Sequence, residues 1–255
     1  MDTLRLVPLE CGQLSSDRGG LVSGETGKAR LPIPSWLVVH PSGRSLVFDT
    51  GLHKELQTDT SRMRSMNDVF DVHFNAGEDV AARLEGVDID PASIDMMVFS
   101  HLHFDHCGGT GLIPNARVVV QAAEWKAAHI PKLIEHDVYN PDDFELGHDV
   151  LQIEGSHDVF GDGSVWCIPT PGHTAGHQSL RVNLASGPVV LTGDCVYWKQ
   201  ALDDMTLPPF GYSADQQLES MRHLKSLRDD HGCTLLYGHD ADQWATLPKT
   251  AEGLS

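Results

Sequence analysis

Six consecutive residues, His101-Leu102-His103-Phe104-Asp105-His106, closed by Gly108-Gly109, constrain this chain more than any other stretch. They gather three imidazoles and a carboxylate, the neutral nitrogens and hard oxygens that a borderline-soft divalent metal such as zinc prefers. In an extended segment the side chains at i and i+2 point the same way, so His101 and His103 can grip one ion. The chain must then turn, which the glycines allow, and the adjacent Asp105 and His106 can face a second ion. A chance cluster of surface histidines is the competing reading, and the density of the run argues against it.

With 255 residues the chain can bury a full core, and no repeat, low-complexity tract or Pro/Ser-rich linker divides it. One domain over residues 1–255 is therefore expected. Eighteen basic against 36 acidic side chains leave a formal charge of −18, which disfavours nucleic acid and anionic membrane surfaces as partners. No stretch approaches the roughly 18 apolar residues of a membrane span. Met1 to Arg5 lead into no long apolar segment, so no export signal is expected. The five cysteines, Cys11, Cys107, Cys167, Cys195 and Cys233, are scattered and form no C-x-x-C pair. They read as free thiols of a reducing compartment, with Cys107 and Cys195, beside candidate ligands, as small buried packing residues, and a cytoplasmic location is the expectation.

Short apolar runs separated by turn signals make up the rest. Trp36 to His40 and Ser45 to Asp49 read as a hairpin around Pro41-Ser42-Gly43-Arg44. Further strands are predicted at Asp95–Ser100, Arg117–Gln121, Val150–Ile153, Val165–Pro169, Ser179–Leu184, Val189–Thr192 and Thr234–Tyr237. Helices are predicted at Glu78–Leu84, Ala122–Ala128 and Ala214–Asp230, the last with Ser213 and Gln216 as a capping pair and Gly232 as its stop. Strands alternating with helices imply an α/β arrangement of sheets faced by helices. Two stretches, 57–77 and 131–148, are irregular and read either as lids over a site or as loops packed on their own domain.

Additional candidates for metal binding stand beside glycine at the ends of predicted strands: His173 and His177 in Pro171-Gly172-His173-Thr174-Ala175-Gly176-His177, Asp194 after Gly193, and His239 after Gly238. The order H-x-H-x-D-H, then His, Asp and His, running from Asp49 through His239, resembles the metallo-β-lactamase superfamily. That resemblance implies an αββα sandwich of two mixed β-sheets flanked by helices. It also implies that His101, His103 and His173 hold one divalent ion and Asp105, His106 and His239 a second, with Asp194 and a hydroxide bridging the pair. Zinc is the expected metal. Asp49 would orient the ligand loop, and His177 matches no ligand position.

Within the superfamily the wording Ser-His-Leu-His-Phe-Asp-His, Tyr197 three residues after Asp194, and the short ending after Gly238-His239-Asp240 resemble the N-acyl homoserine lactonases. The likeness implies a catalytic site of Asp105, Asp194 and Tyr197 that opens a lactone ring by attack of the bridging hydroxide, Tyr197 facing the substrate carbonyl. It also implies a small-molecule lactone with an apolar chain as substrate, quorum quenching as the role, and a homodimer. Met63, Met66, Phe70, Trp198, Leu207 and Phe210 are candidate walls for the chain. Gly193 departs from the apolar residue that many of these lactonases carry before the bridging Asp.

Other lactones, thioesters and aryl esters are alternative substrates on the same fold. A glutathione thioesterase is expected to end in a basic region, whereas Gln243–Ser255 holds one lysine. A non-catalytic metal-bound sensor would not need all seven positions, and donor types alone leave an iron-based redox enzyme open.

Overall fold

The apolar runs resolve into two sheets in a computed structural model, which describes residues 3–136 and 138–255. Met1 and Asp2, and Asp137 within the second irregular stretch, lie outside the described residues. The first sheet has seven strands: β1 (Arg5–Asp17), β2 (Lys28–Val39), β3 (Ser45–Phe48), β4 (Asp71–His73), β5 (Met96–Val98), β6 (Arg117–Gln121) and β7 (Val150–Ile153), in the order β4-β1-β2-β3-β5-β6-β7. The second has five: β8 (His157–Asp158), β9 (Val165–Pro169), β10 (Gln178–Leu184), β11 (Gly187–Leu191) and β12 (Thr234–Leu236), in the order β12-β11-β10-β9-β8. Both are mixed. β3, β5, β6 and β7 run parallel, as do β11 and β12, and the remaining pairs are antiparallel.

Period-two alternation decides which face each side chain joins. Leu46, Phe48, Met96, Val98 and Val119 of the first sheet meet Val165, Leu180, Val182, Leu191 and Leu236 of the second in one cluster between the sheets. The alternate residues Val47, Met97, Val118 and Val120 pack outward with Val80, Leu84, Ala127 and Ala128, which lie on the helices Val80–Glu85 and Ala122–Ala128. On the far side, Val190 and Leu235 bury Met221, Leu224 and Leu227 of the helix Ala214–Asp229. The layers are therefore helix, sheet, sheet, helix. The parallel strands are apolar on both faces because both are covered.

Four expectations shift. β1, thirteen residues long, escaped the sequence reading: Pro8 and a register shift between Glu10 and Gln13 interrupt its alternation, and both of its faces are largely buried. The hairpin strand β2 begins at Lys28, well before Trp36. The stretch 57–77 contains a 3₁₀ segment, Thr60–Asp68, and strand β4. The turn after His103 is made by a short helix, Phe104–Cys107, and precedes the glycines. Gly108 serves a close approach instead, since a Cβ there would lie 2.3 Å from the His53 nitrogen. All five cysteines are free, as expected, and Cys11, Cys167 and Cys233 are buried along with Cys107 and Cys195. Among the described residues no helix is long and apolar enough to cross a membrane.

Candidate metal centre and active site

Five loops meet over one edge of the sandwich. Each follows the C-terminal end of a strand: Asp49 after β3, the His101–His106 run after β5, His173 after β9, Asp194 after β11 and His239 after β12. Strand direction therefore delivers all the candidate groups to the same rim.

His101 and His103 stand in an extended pair, and His103 caps the short helix that turns Asp105 and His106 inward. His101 Nε2 and His103 Nδ1 approach to 3.0 Å, and His173 Nε2 lies 3.1 Å from the same His103 nitrogen. Nearby, His239 Nε2 and His106 Nε2 lie 3.0 and 3.2 Å from Asp194 Oδ1, and 3.9 and 3.6 Å from Asp105 Oδ2. The other oxygen of Asp194, Oδ2, is 3.4 Å from His173 Nε2 and 3.8 Å from His101 Nε2. One carboxylate thus gives an oxygen to each group of histidines. His101, His103 and His173 form one set of donors, and Asp105, His106 and His239 another, the atoms of each set lying within 4.8 Å of one another.

The electrostatics suit a cation. Burial pushes His101 and His173 well below the ordinary imidazole range, and the neighbouring imidazoles add to the effect at His101. Burial likewise lowers His103 to about 4. These three are neutral, the form that coordinates a metal. At His106 burial opposes charge, but Asp194, Asp105 and Asp49 together lift the ring well above its usual value. His239 moves the same way, burial being outweighed by Asp194 and Asp105. Among the described residues His106 Nε2 and Asp194 Oδ1 are both buried with no hydrogen-bond partner, an arrangement that costs free energy unless a cation lies between them. The buried His/Asp cluster is consistent with a dinuclear metal site.

Asp49 sits at φ +57°, a left-handed backbone that a non-glycine residue adopts at a cost. Its carboxylate accepts hydrogen bonds from the Ser100 amide (2.7 Å), the Ser100 hydroxyl (2.8 Å) and His106 Nδ1 (2.9 Å). The strain therefore serves to aim His106. His239 donates from Nδ1 to the Pro32 carbonyl at 2.9 Å, a partner no sequence pattern could reveal. His177 stays outside the donor sets: its Nδ1 lies 3.1 Å from the Thr170 carbonyl and its ring packs 5.3 Å from that of His101. That ring also accounts for Gly193, whose φ is +53° and where a Cβ would fall 2.7 Å from His177 Nε2. Tyr197 is buried, with its ring 6.0 Å from His173 and 5.5 Å from His239.

The family profile of the metallo-beta-lactamase superfamily matches residues 29–239, from β2 through His239. This chain belongs to the metallo-β-lactamase superfamily. It is a metal-dependent hydrolase of that superfamily. It is 33% identical over 261 residues to the N-acyl homoserine lactonase AttM of Rhizobium radiobacter, an alignment covering 99% of each chain. The N-acyl homoserine lactonase of Bacillus cereus is 31% identical over 254 residues, with 95% of this chain and 96% of that one covered. Among solved structures, an N-acyl homoserine lactone hydrolase with N-hexanoyl-L-homoserine bound at its catalytic metal centre superposes with a TM-score of 0.88. The two are 25% identical and each is covered completely.

In this metallo-β-lactamase member the proposed walls separate. Met63 and Met66 line a cleft of only about 20 Å³ with Phe104, and Phe70 packs on Phe104 at 6.1 Å. Leu207 joins the cluster beneath the helix Ala214–Asp229, and Trp198 packs among Leu14, Ile33 and Tyr197. Phe210 borders a cavity of about 460 Å³ that reaches His103 and His173. Of the exposed large apolar side chains Val69, Ile130, Leu146, Phe210 and Tyr212, three line this cavity: Ile130, Phe210 and Tyr212. The irregular stretches 57–77 and 131–148 are clasped by Arg62, whose guanidinium donates to buried Asp143 at 2.6 Å.

Sequence reasoning missed two buried partners of the cluster, Glu124 and Tyr139. Glu124 accepts hydrogen bonds from the Leu102 amide and from Tyr139, and the Tyr139 ring lies 5.4 Å from that of His103. An acid on a short helix reads as a solvated residue, and only a count of buried polar side chains would have singled it out.

Proposed function

We propose that this chain, as one catalytic domain over residues 1–255, opens the lactone ring of N-acyl homoserine lactones using two divalent ions, with zinc favoured by the donor types. The observation that carries this reading is the division of Asp194 between two sets of donors, Oδ1 toward His106 and His239 and Oδ2 toward His101 and His173. His101, His103 and His173 would hold one ion and Asp105, His106 and His239 the other, with Asp194 shared. When bound, such a pair supplies Lewis acidity and a water acidified toward neutral pH.

The side chains do the rest. Burial, reinforced by Asp194 and Asp105, raises the Tyr197 phenol well above its usual value, so it stays an O–H donor for the oxygen of a substrate carbonyl. Asp49 and the Pro32 carbonyl keep His106 and His239 in the tautomer that offers Nε2 to the centre. The apolar tail of the substrate fits the cavity bordered by Ile130, Phe210 and Tyr212, since it opens beside His103 and His173 and would otherwise leave those side chains to water. The full-length likeness to N-acyl homoserine lactonases supports the lactone as substrate.

Metal analysis paired with hydrolysis of short- and long-chain N-acyl homoserine lactones tests the reading. Two metals per chain and rapid ring opening, lost in a His106→Ala variant, are expected. Two metals with turnover of thioesters or aryl esters but not of lactones would overturn the substrate assignment and leave the centre in place.

A further inference from the structure

Glu124 is completely buried, and four donors converge on its carboxylate. Oε1 accepts from the Leu102 amide at 3.1 Å and from the Tyr139 hydroxyl at 3.0 Å. Oε2 accepts from the Thr174 hydroxyl at 2.6 Å and from the Gly176 amide at 3.0 Å. A carboxylate is retained in an interior only where donors replace its water. These donors are not scattered. Leu102 lies between His101 and His103, Thr174 and Gly176 follow His173, and the Tyr139 ring packs against His103. None belongs to Asp105, His106 or His239. The loop after His173 presses so closely on the helix Ala122–Ala128 that a Cβ on Gly176 would fall 2.1 Å from the Glu124 nitrogen.

The rings themselves supply a second observation. His106 and His239 are each oriented by a hydrogen bond from Nδ1. By contrast, among the described residues His103 Nε2 and His173 Nδ1 are buried with no hydrogen-bond partner. No described residue grips those two rings through their outer nitrogens, so the backbone that carries them must set their spacing. That backbone is tied at Glu124.

We propose that Glu124 is the positioning residue of the three-histidine half of the centre, joining the His101–His103 segment to the His173 loop so that three nitrogens meet one divalent cation. The inference rests on the reading of the cluster as a metal centre. It assigns a task to an acid that lies outside both donor sets.

Cobalt titration of the metal-free full-length protein, followed by visible absorption and by chelator competition, separates the two equivalents. Glu124→Gln preserves volume but turns one oxygen into an amide that faces donors instead of accepting from them. In that variant one equivalent is expected to weaken by about 10–100-fold with an altered cobalt spectrum, while the other binds as in the wild type. Wild-type affinities and spectrum would overturn the proposal, as would an equal loss at both equivalents, the mark of general destabilisation. Should Glu124→Gln fail to fold, Tyr139→Phe removes one donor and keeps the ring. A few-fold loss at the same single equivalent is then expected, and no change overturns the proposal. A wild-type chain that takes up no cobalt would instead bring down the metal-centre reading, and this inference with it.

Discussion

In the half of the centre built from Asp105, His106 and His239, each imidazole is fixed through its own ring, His106 by Asp49 and His239 by the Pro32 carbonyl. In the half built from His101, His103 and His173, only His101 has such a partner among the described residues, the Ser100 hydroxyl at 2.9 Å. There the fixing acts on main chain, through Glu124. The difference follows from where the donors sit. Asp105 and His106 share one helical turn with strained Asp49 beneath it, whereas the chain between His101 and His103 and the loop after His173 both lie against Glu124. A single carboxylate reaching both loops does what separate ring contacts cannot. The two halves should therefore respond to different substitutions, and their shared members to neither pattern.

The largest effect is expected at the group common to both halves. Asp194→Ala should cost both metal equivalents and take lactone hydrolysis to background, seen by metal analysis and turnover together. Retention of one equivalent would show that the halves bind independently. Tyr197→Phe should lower kcat by about 10²–10³-fold, the usual cost of one oxyanion donor, with both metals kept. A normal kcat would reduce Tyr197 to packing between His173 and His239. Asp49→Asn should weaken one equivalent by about 10–100-fold, and it should be the equivalent that Glu124→Gln spares. Loss at the same equivalent in both variants would collapse the contrast between the halves. The smallest effect belongs to the cavity. Each methylene buried there contributes about 0.8 kcal/mol, so Phe210→Ala should raise KM a few-fold for long acyl chains and leave short ones unchanged. An equal effect on both would move the tail elsewhere.

Much of this was legible in the sequence where chemistry and spacing are local. Arg117–Gln121, Val150–Ile153 and Val165–Pro169 stand as strands with the predicted bounds. The helix after Ser213 ends one residue short of its predicted limit. The donor side chains announced themselves because His and Asp at strand ends beside glycine are chemically conspicuous, and the structure brings all seven together. What stayed hidden depends on burial or on the backbone. Glu124 is an unremarkable acid until the His173 loop covers it, and a carbonyl such as that of Pro32 has no letter of its own. Strand β1 shows the same limit, since a strand buried on both faces and broken by a register shift loses the alternation by which strands are read.

The rim position of the centre also fixes an order of events in the life of the chain. His101, His103, Asp105 and His106 follow a strand of the first sheet, while His173, Asp194 and His239 follow strands of the second. Neither sheet alone offers a complete pocket. Unlike a short finger that a cation can nucleate from coil, this protein must assemble its sandwich before it can be loaded. A cation arriving afterwards would act as a rivet across the sheet interface, stabilising the finished molecule by an amount that grows with the logarithm of its free concentration. Scarcity of metal would then leave behind a folded, idle reserve, ready to be switched on by supply alone.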